Sequence, residues 1–283
     1  STAPVLISPA MNTHMYENPI VQDNLQKLER FGYKIIAPAV GMLACHDVGA
    51  GKMPEPEMLL DWILREIACK KDLQGKKILV TAGPTQEAVD PVRYLTNHST
   101  GKMGYALARC AMLRGADVTL VTGPTAITPP PFVQTVAVTS AEEMYQEVTK
   151  RAAEQNAIIM AAAVADYRPA TVSAEKQKKQ AGDAVLPLSR TKDILAYLGE
   201  HKPAGQFLCG FSMETQHMLE NSRAKLKQKH LDMICANNLK VAGAGFGTDT
   251  NKAWIVSTTG TQELPVLTKP QLADTILDLL QNI

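Results

Sequence analysis

A cluster of small and polar residues follows the apolar run Ile78-Leu79-Val80, at a spacing typical of an anion-binding site. The strand pattern ends at Gly83-Pro84. A polar loop then leads through Asn97 to Gly101, where a helical pattern begins. Backbone N–H groups at a helix start and the positive end of the helix dipole attract phosphate and carboxylate groups. The sequence therefore predicts an anion-binding turn at the carboxyl end of a buried strand.

Common nucleotide motifs do not explain this turn. The dinucleotide pattern G-x-G-x-x-G is absent after the strand, and the phosphate loop G-x-x-x-x-G-K-[ST] fails because Lys102 is followed by Met103. A simple strand–loop–helix crossover, with glycines that permit close packing, remains the alternative.

A second apolar run, residues 157–165, leads directly into an acidic residue. Asp166 stands where this strand should end, and an aspartate there can bind a metal ion or a ribose hydroxyl. The alternative is an aspartate that caps the next turn, just before Pro169.

Two groups of lysines could neutralise a polyphosphate. The run Glu175-Lys176-Gln177-Lys178-Lys179 follows the Asp166 strand end, where a lysine loop could fold over a triphosphate. Lys225 and Lys229 are four residues apart on one helical face, so their charges repel unless an anion lies between them. The alternatives are a solvated basic loop and an exposed polar helix face.

A separate pair of motifs lies near the start of the chain. Asn12 ends the motif P-A-M-N, and Cys45 is flanked by small residues in a glycine-rich stretch. Such a cysteine could donate a proton to a carbanion or an enethiolate. The alternative is a free cysteine in a glycine-rich flap.

The elements that must position these residues alternate between strands and helices, which predicts an α/β fold with a doubly wound, mostly parallel sheet. We predict strands at 5–7, 33–37, 78–80, 118–121, 133–138, 157–165, 207–211, 233–236 and 253–256. We predict helices at 19–31, 55–68, 103–114, 219–229 and 270–280, and a further helix that opens at Ser140. The glycine-rich stretch 243–247 precedes a strand, so we interpret it as a flexible connection. The charged stretch 70–75 predicts a linker between a first domain, 1–69, and a second domain, 76–283.

Composition limits the class of protein. The chain has 283 residues with 45% hydrophobic and 20% charged content and a net charge of +1, which favours no nucleic-acid or membrane partner. The five cysteines form no C-x-x-C pair and are typical of reduced cytoplasmic thiols. We expect no membrane-spanning helix, and we interpret the chain as one that begins inside a domain.

From about residue 73 to residue 283, the chain closely resembles the phosphopantothenate–cysteine ligases of bacterial coenzyme A biosynthesis. The matching motifs are T-A-G-P-T, R-Y-L-T-N-H-S-T-G-K-M-G, A-A-A-V-A-D-Y-R-P, E-K-Q-K-K and I-C-A-N-N. Residues 1–69 resemble the C-terminal part of the fused phosphopantothenoylcysteine decarboxylases through P-A-M-N-x-x-M and L-A-C-H-D-V-G-A-G-K-M. The resemblance implies a Rossmann-like ligase domain preceded by part of a flavodoxin-like domain.

For the ligase, the resemblance implies a reaction of 4′-phosphopantothenate, cysteine and CTP through an acyl-cytidylate, with Mg²⁺ helping to neutralise the triphosphate. It implies that Asn97 and Lys176 are catalytic, that Arg93 and Asn97 contact 4′-phosphopantothenate, and that no protein side chain is assigned as a metal ligand. The implied nucleotide-binding residues are Met160, Ala161, Ala162, Asp166, Lys176, Lys192, Asp193, Ile194, Leu195, Phe211, Lys225 and Lys229.

For the decarboxylase, the resemblance implies that Asn12 binds the substrate carboxylate and that Cys45 protonates the enethiolate. The complete enzyme would use FMN and a histidine that lies earlier than Pro9 in the family pattern. We therefore expect neither decarboxylation nor stable flavin binding by this chain alone.

The resemblance also implies small-molecule substrates, a cytoplasmic location and a homodimer through the ligase domain, or a higher oligomer with a complete decarboxylase domain. A nicotinamide-dependent reductase is the alternative enzyme, but Tyr145 is followed at the required spacing by Thr149 rather than lysine. A non-catalytic nucleotide-binding module is the other alternative, and the presence of Asn97, Asp166 and Lys176 argues against it.

Overall fold

The computed structural model describes residues 3–178, 182–214, 217–238, 245 and 247–280. Lys179 of the lysine run and most of the glycine-rich stretch 243–247 lie outside these residues. The chain forms two compact units, Ser1–Lys70 and Lys71–Ile283.

The boundary between the units lies earlier than the charge pattern predicts. The sequence predicts a linker at 70–75, but Leu73 is only 1% exposed and packs in the core of the second unit. Asp72 forms an ion pair with the buried Arg114. At least one charged residue of this stretch, Asp72, therefore belongs to the second unit rather than to a linker.

The first unit is small and carries a short parallel ladder and a hairpin. Its elements are β1 Leu6–Ile7, α1 Thr13–Tyr16, α2 Pro19–Arg30, β2 Lys34–Ile35, β3 Ala39–Met42, β4 Val48–Lys52 and α3 Pro56–Ile67. Strands β1 and β2 are parallel, and β3 and β4 are antiparallel. Asn18 caps α2 by accepting a hydrogen bond from the Ile20 N–H, and Pro19 occupies the first turn, where no N–H is needed.

The second unit contains a large sheet and helices on both of its faces. Its strands are β5 Lys77–Ala82, β6 Glu87–Ala88, β7 Tyr94–Leu95, β8 Asp117–Thr122, β9 Gln134–Ala137, β10 Ala157–Met160, β11 Tyr167–Pro169, β12 Leu188–Arg190, β13 Phe207–Glu214, β14 Met233–Asn238, β15 Thr250–Ser257 and β16 Thr261–Thr268. Its helices are α4 Lys102–Leu113, α5 Ala141–Ala152, α6 Ile194–His201, α7 Met218–Gln228 and α8 Lys269–Asp278.

Eight strands form the main sheet, in the order β16-β15-β14-β13-β10-β5-β8-β9. The strands from β14 to β9 pair in parallel, whereas β15 and β16 are antiparallel additions at one edge. Helices α4 and α8 cover one face, and α5, α6 and α7 cover the other, each over its own apolar cluster. Both faces are buried, which explains the continuous apolar runs of the central strands.

The strand predicted at 157–165 is shorter than its apolar pattern indicates. Strand β10 ends at Met160, and the backbone then turns toward the loop that follows β5. The Ala162 N–H donates to the Thr81 hydroxyl oxygen at 3.1 Å, and the Ala163 N–H donates to the Gly83 carbonyl at 2.9 Å. The run Ala161–Ala165 is half-buried beside that loop, and it continues the pairing of β10 with β5 only through one isolated parallel bridge between Pro84 and Ala163.

Within the described residues, no helix is both long and apolar enough to cross a membrane.

Arg114 joins the two ends of the second unit. Its side chain is 6% exposed and contacts Asp72 at 2.5 Å and Asp278, on the last helix, at 2.8 Å. Burial alone would lower the pKa of Arg114, but its hydrogen bonds to Asp72 and Asp278 raise the pKa above the ordinary value.

We predict that Arg114→Met lowers the free energy of unfolding by about 1–3 kcal/mol, because two carboxylates lose their buried cation while remaining partly solvated. Urea unfolding of the chain measures this change. Lys77→Met is the matched control, because it removes one partner of an exposed ion pair, Lys77–Glu154. It should change the free energy of unfolding by less than about 1 kcal/mol. Equal effects of the two substitutions would contradict the role assigned to Arg114.

Candidate active site

The topology creates a crevice at the carboxyl ends of β5 and β10. From β5 the chain passes through α4 to β8 on one side, and it later returns to β10 on the other side of β5. Ligands of doubly wound sheets bind at such a reversal of strand order, outside the carboxyl ends of the strands. The predicted anion-binding turn and Asp166 both lie at this edge.

Glycines allow the loop after β5 to pass close to helix α4. Gly83 and Gly101 have φ angles of 74° and 80°, in the left-handed region that other residues rarely adopt. Gly104, in the first turn of α4, lies so close to β5 that an added Cβ would be 2.5 Å from the Ala82 Cβ. The N-terminus of α4 is therefore held directly against the end of the central strand.

The segment after β10 is fastened to the loop after β5 by further hydrogen bonds. The Ala165 N–H donates to the Thr85 hydroxyl oxygen at 3.0 Å. The Asn97 side-chain amide donates to the Ala163 carbonyl at 2.6 Å, and its oxygen accepts from the Ser99 N–H at 3.0 Å. Asn97 therefore connects the segment after β10 to the turn that starts α4.

The first cavity lies at the carboxyl ends of β10 and β13, has a volume of about 460 Å³ and collects most of the predicted nucleotide-binding residues. Those that line it are Met160, Ala162, Asp166, Lys192, Asp193, Ile194, Leu195, Phe211, Lys225 and Lys229. Its volume falls within the range of small-ligand pockets.

Two lysines that line the first cavity form ion pairs with acidic side chains. Lys229 contacts Asp193 at 2.7 Å, and Lys192 contacts Glu142 at 2.8 Å. Burial opposes ionisation of Asp193, but the Lys229 ammonium and the Ala196 N–H, which both donate to its carboxylate, keep its pKa below the ordinary value. The pairing of Lys229 with Asp193 therefore offsets the repulsion between Lys229 and Lys225 that the helical spacing alone would predict.

The second cavity has a volume of about 400 Å³ and adjoins the first. Asn97, Ala161 and the first turn of α4 line it. The residues that line both cavities are Ala162, Val164, Asp166, Phe211, Ser212 and Lys225. We call these shared residues the common wall. Ligands in the two cavities would therefore contact each other beside it.

Sequence reasoning missed the buried polar residues of the second cavity. Asn237 and Asn251 are 5% and 4% exposed, and their side-chain oxygens have no hydrogen-bond partner within the described part of the chain. Lys269 is also buried, and burial lowers its pKa from the ordinary value. Lys102, the first residue of α4, also lines this cavity and contacts Asp249 at 2.7 Å. Of these residues, Asn237 belongs to the motif I-C-A-N-N and Lys102 to R-Y-L-T-N-H-S-T-G-K-M-G, but no sequence signal singled out either as a residue of the site.

Two predicted residues lie outside this set. Neither Arg93 nor Lys176 is among the described residues that line the two cavities. Arg93 contacts Asp90 at 2.5 Å and donates to the Gln177 carbonyl at 3.0 Å, so the structure brings Arg93 to the segment that carries Lys176. Lys176 itself is exposed.

In the first unit, the structure brings Asn12 and Cys45 together. The Asn12 amide donates to the Cys45 Sγ at 3.2 Å and to the Asp47 carboxylate at 3.2 Å. The Cys45 thiol donates to the same carboxylate at 3.4 Å. Sequence reasoning found the first two residues and missed Asp47.

Comparison with known proteins identifies the family. Residues 73–283 match the family described as DNA/pantothenate metabolism flavoprotein C-terminal domain, and residues 1–68 match the Flavoprotein family. The Coenzyme A biosynthesis bifunctional protein CoaBC of Bacillus subtilis is 45% identical to the chain, over 100% of this chain and 70% of that protein. The chain belongs to the family of CoaBC proteins. The protein of the same name from Escherichia coli K12 is 42% identical, over 98% of this chain and 69% of its own length.

Solved structures agree with this membership of the CoaBC family. The C-terminal domain of a protein named CoaBC is 43% identical, with a TM-score of 0.65, over 75% of this chain and 97% of that domain. A DNA/pantothenate metabolism flavoprotein from Streptococcus pneumoniae is 27% identical, with a TM-score of 0.64, over 74% of this chain and 99% of that protein. The family resemblance, the fold class and the assignment to coenzyme A biosynthesis are therefore confirmed. The Flavoprotein match makes the first unit part of a flavin-type domain, and the match of the second unit implies a nucleotide substrate.

We predict that Gly104→Ala destabilises the second unit by about 1–3 kcal/mol, although alanine is the better helix former, because the new methyl group overpacks the junction of α4 with β5. Urea unfolding measures the change. Gly260→Ala is the matched control, since an added Cβ at Gly260 meets nothing within 4 Å. A Gly104→Ala variant as stable as the control would show that α4 can move away from β5 at little cost.

Proposed function

We propose that the second unit joins 4′-phosphopantothenate to cysteine with CTP, through an acyl-cytidylate, and releases pyrophosphate and CMP. Membership of the coenzyme A biosynthesis family supports the substrate class. The observation that carries the proposal is the pair of adjoining cavities with a common wall, one with lysines and acids around it and one built on a helix N-terminus.

In the first half-reaction, CTP occupies the first cavity and 4′-phosphopantothenate the second. A carboxylate oxygen attacks the α-phosphorus, and the bond to pyrophosphate breaks. Lys225 and Lys229 line the first cavity and would bind the departing pyrophosphate, whose negative charge grows in the transition state. Lys229 would exchange its bond to Asp193 for one to the phosphates.

The second cavity suits an anionic substrate that carries hydroxyl and amide groups. The N-terminus of α4 and Lys102 favour negative charge, and the oxygens of Asn237 and Asn251 can accept hydrogen bonds from a ligand. Burial of these polar groups is costly without partners, so a ligand that donates to them gains affinity.

In the second half-reaction, the cysteine amine attacks the acyl carbon and CMP leaves. Asn97 lines the second cavity beside the wall common to both. One amide hydrogen of Asn97 is bonded to Ala163, and the other can donate to the acyl oxygen as negative charge develops on it.

Magnesium fits this site as a companion of the substrate. Mg²⁺ is usually held by one or two carboxylates together with substrate phosphates. Asp166 is exposed and lines both cavities, so it would hold a magnesium ion that neutralises the triphosphate. Among the described residues, no group of three or more histidine, cysteine or acidic side chains forms a separate metal site.

For the first unit, we propose that Asn12 binds a substrate carboxylate and that Cys45 donates a proton. The contacts among Asn12, Cys45 and Asp47 support this proposal, because they hold a thiol proton between an amide and a carboxylate.

We also propose a homodimer through the second unit. Val92, Tyr94, Tyr167 and Leu188 are 58%, 52%, 47% and 48% exposed and lie on or beside two neighbouring pairs of short strands. Apolar side chains grouped in this way are typical of an interface. The free cysteines agree with a cytoplasmic location.

The test of the proposed function is nucleotide-dependent pyrophosphate release by the purified chain with 4′-phosphopantothenate and Mg²⁺, with CTP and ATP in separate reactions. We expect pyrophosphate with CTP, and CMP with amide product when cysteine is added. Folded protein that forms neither CMP nor amide would contradict the proposal, and equal rates with ATP would contradict the choice of CTP.

We predict that Lys176→Gln slows the first half-reaction about ten- to a hundredfold, because the loss of one charge-assisted contact typically costs about 1.5–3 kcal/mol. Lys176 is exposed, so the substitution removes no core packing. Rapid-quench assay of acyl-cytidylate measures the effect. Lys150→Gln, which removes an exposed charge on α5, is the control, and a wild-type rate for Lys176→Gln would refute the assignment.

We predict that Asn97→Asp still binds CTP and releases pyrophosphate but accumulates acyl-cytidylate, because the new carboxylate repels the growing oxyanion. Mass spectrometry of reactions quenched with and without cysteine measures the intermediate. Asn24→Asp, on an exposed part of α2, makes the same charge change outside the site and should behave as wild type. Efficient amide formation by Asn97→Asp, or loss of CTP binding, would assign Asn97 a different role.

A further inference from the structure

The carboxylate of Asp90 is buried between Arg93 and the segment that carries Lys176. The proposed function uses both of these cations, although neither is among the described residues that line the two cavities. The Asp90 side chain is fully buried, and hydrogen bonds surround it. One oxygen accepts from the N–H groups of Val92 and Arg93, at 2.9 Å each. The other accepts from the Arg93 guanidinium and from the Gln177 N–H, the latter at 3.2 Å. The Arg93 guanidinium holds the pKa of Asp90 well below its ordinary value, so the carboxylate is ionised at neutral pH.

These hydrogen bonds join residues that are far apart in the sequence. Asp90 and Arg93 precede strand β7, whereas Gln177 belongs to the lysine-rich run. Arg93 adds a second connection, because its guanidinium donates to the Gln177 carbonyl at 3.0 Å. The Ser173 N–H donates to the Val89 carbonyl at 3.0 Å, so the segment 173–177 is fastened at both of its ends.

Lys176 lies between these two attachments. Its backbone is therefore held next to Arg93, while its side chain is exposed. Arg93 uses Nε and Nη2 for Asp90 and Gln177, and its side chain is still 51% exposed. Both cations can thus meet a ligand while their backbones depend on the same buried carboxylate.

We propose that Asp90 is a positioning residue that holds Arg93 and the Lys176 segment as one unit for the first half-reaction. This inference rests on the proposed function. Asp90 touches no substrate in this account. It acts by fixing the place from which the Lys176 side chain reaches the triphosphate and the direction of the Arg93 guanidinium. A buried ion pair used only for stability is the alternative.

The first test separates the carboxylate from its connection to the lysine segment. Asp90→Asn keeps the shape and can still accept from Val92 and Arg93, but its amide presents a donor to the Gln177 N–H and to Arg93. Gln177→Pro removes the backbone donor of Gln177, and it also fixes φ at 177 and restricts the backbone of Lys176, whereas Gln177→Ala retains the donor. The Gln177 side chain takes part in none of the hydrogen bonds described above.

We expect both Asp90→Asn and Gln177→Pro to lower kcat/KM for CTP at least about tenfold in the pyrophosphate-release assay, since each removes charge-assisted or backbone contacts that orient a cation. Gln177→Ala should stay within about twofold of wild type. The thermal midpoint of Gln177→Pro should lie close to that of Gln177→Ala, because the lost hydrogen bond is not part of the core. Wild-type kinetics for Gln177→Pro would overturn the inference.

The second test measures coupling, which a purely structural role would not produce. Lys176→Gln is combined with Asp90→Asn, and first-half-reaction rates of the single and double variants form a double-mutant cycle. If Asp90 acts through Lys176, then Lys176→Gln should have at least about a fivefold smaller effect in the Asp90→Asn background. Equal effects in both backgrounds would overturn the inference. A wild-type chain that makes no amide product would instead refute the proposed function itself.

Discussion

The site depends on one constraint, the early departure of the chain from the sheet after β10. Strand β10 pairs with β5 only as far as Met160 and Thr81. The next residues bond instead to the loop after β5, through the Thr81 and Thr85 hydroxyls, the Gly83 carbonyl and the Asn97 amide. These hydrogen bonds hold the segment after β10 against the loop after β5, and this segment forms part of the lining of both cavities. Asp166, at the end of this segment, consequently faces both cavities.

Several cations of the site contact acidic side chains before any ligand binds. Lys229, Lys192 and Lys102 each contact an acidic side chain, and Arg93 contacts the buried Asp90. These pairs keep the cations in place, and Arg93 supplies the counter-charge of the one carboxylate among them that is fully buried, Asp90. A polyphosphate can replace a partly exposed carboxylate such as Asp193, whereas Asp90 is completely enclosed and remains with Arg93. The site therefore contains cations of two kinds, those that exchange partners and those that are held.

The sequence predicts the repeating part of the fold well, because long periodic helices and buried strands carry strong local signals. Helices α4, α7 and α8 begin and end within two residues of the predicted positions. The short helix α6 and the edge strand β16, which contains Pro265, lack such signals and were missed. At the site, motifs identified Asn97, Asp166 and the lysines. They did not identify Asp90, Asn251 or Lys269, whose roles arise from contacts between distant segments. The predicted end of β10 was wrong because an apolar run does not reveal which neighbour buries it.

The central claim is that the carboxylate oxygen of 4′-phosphopantothenate attacks the α-phosphate of CTP across the common wall of the two cavities. Transfer of ¹⁸O tests it most directly. The chain is incubated with CTP, cysteine and 4′-phosphopantothenate labelled with ¹⁸O in the carboxylate, and the products are analysed by mass spectrometry. We predict one ¹⁸O atom in the phosphate of CMP and none in pyrophosphate. Unlabelled CMP, or label in another phosphate product, would contradict it.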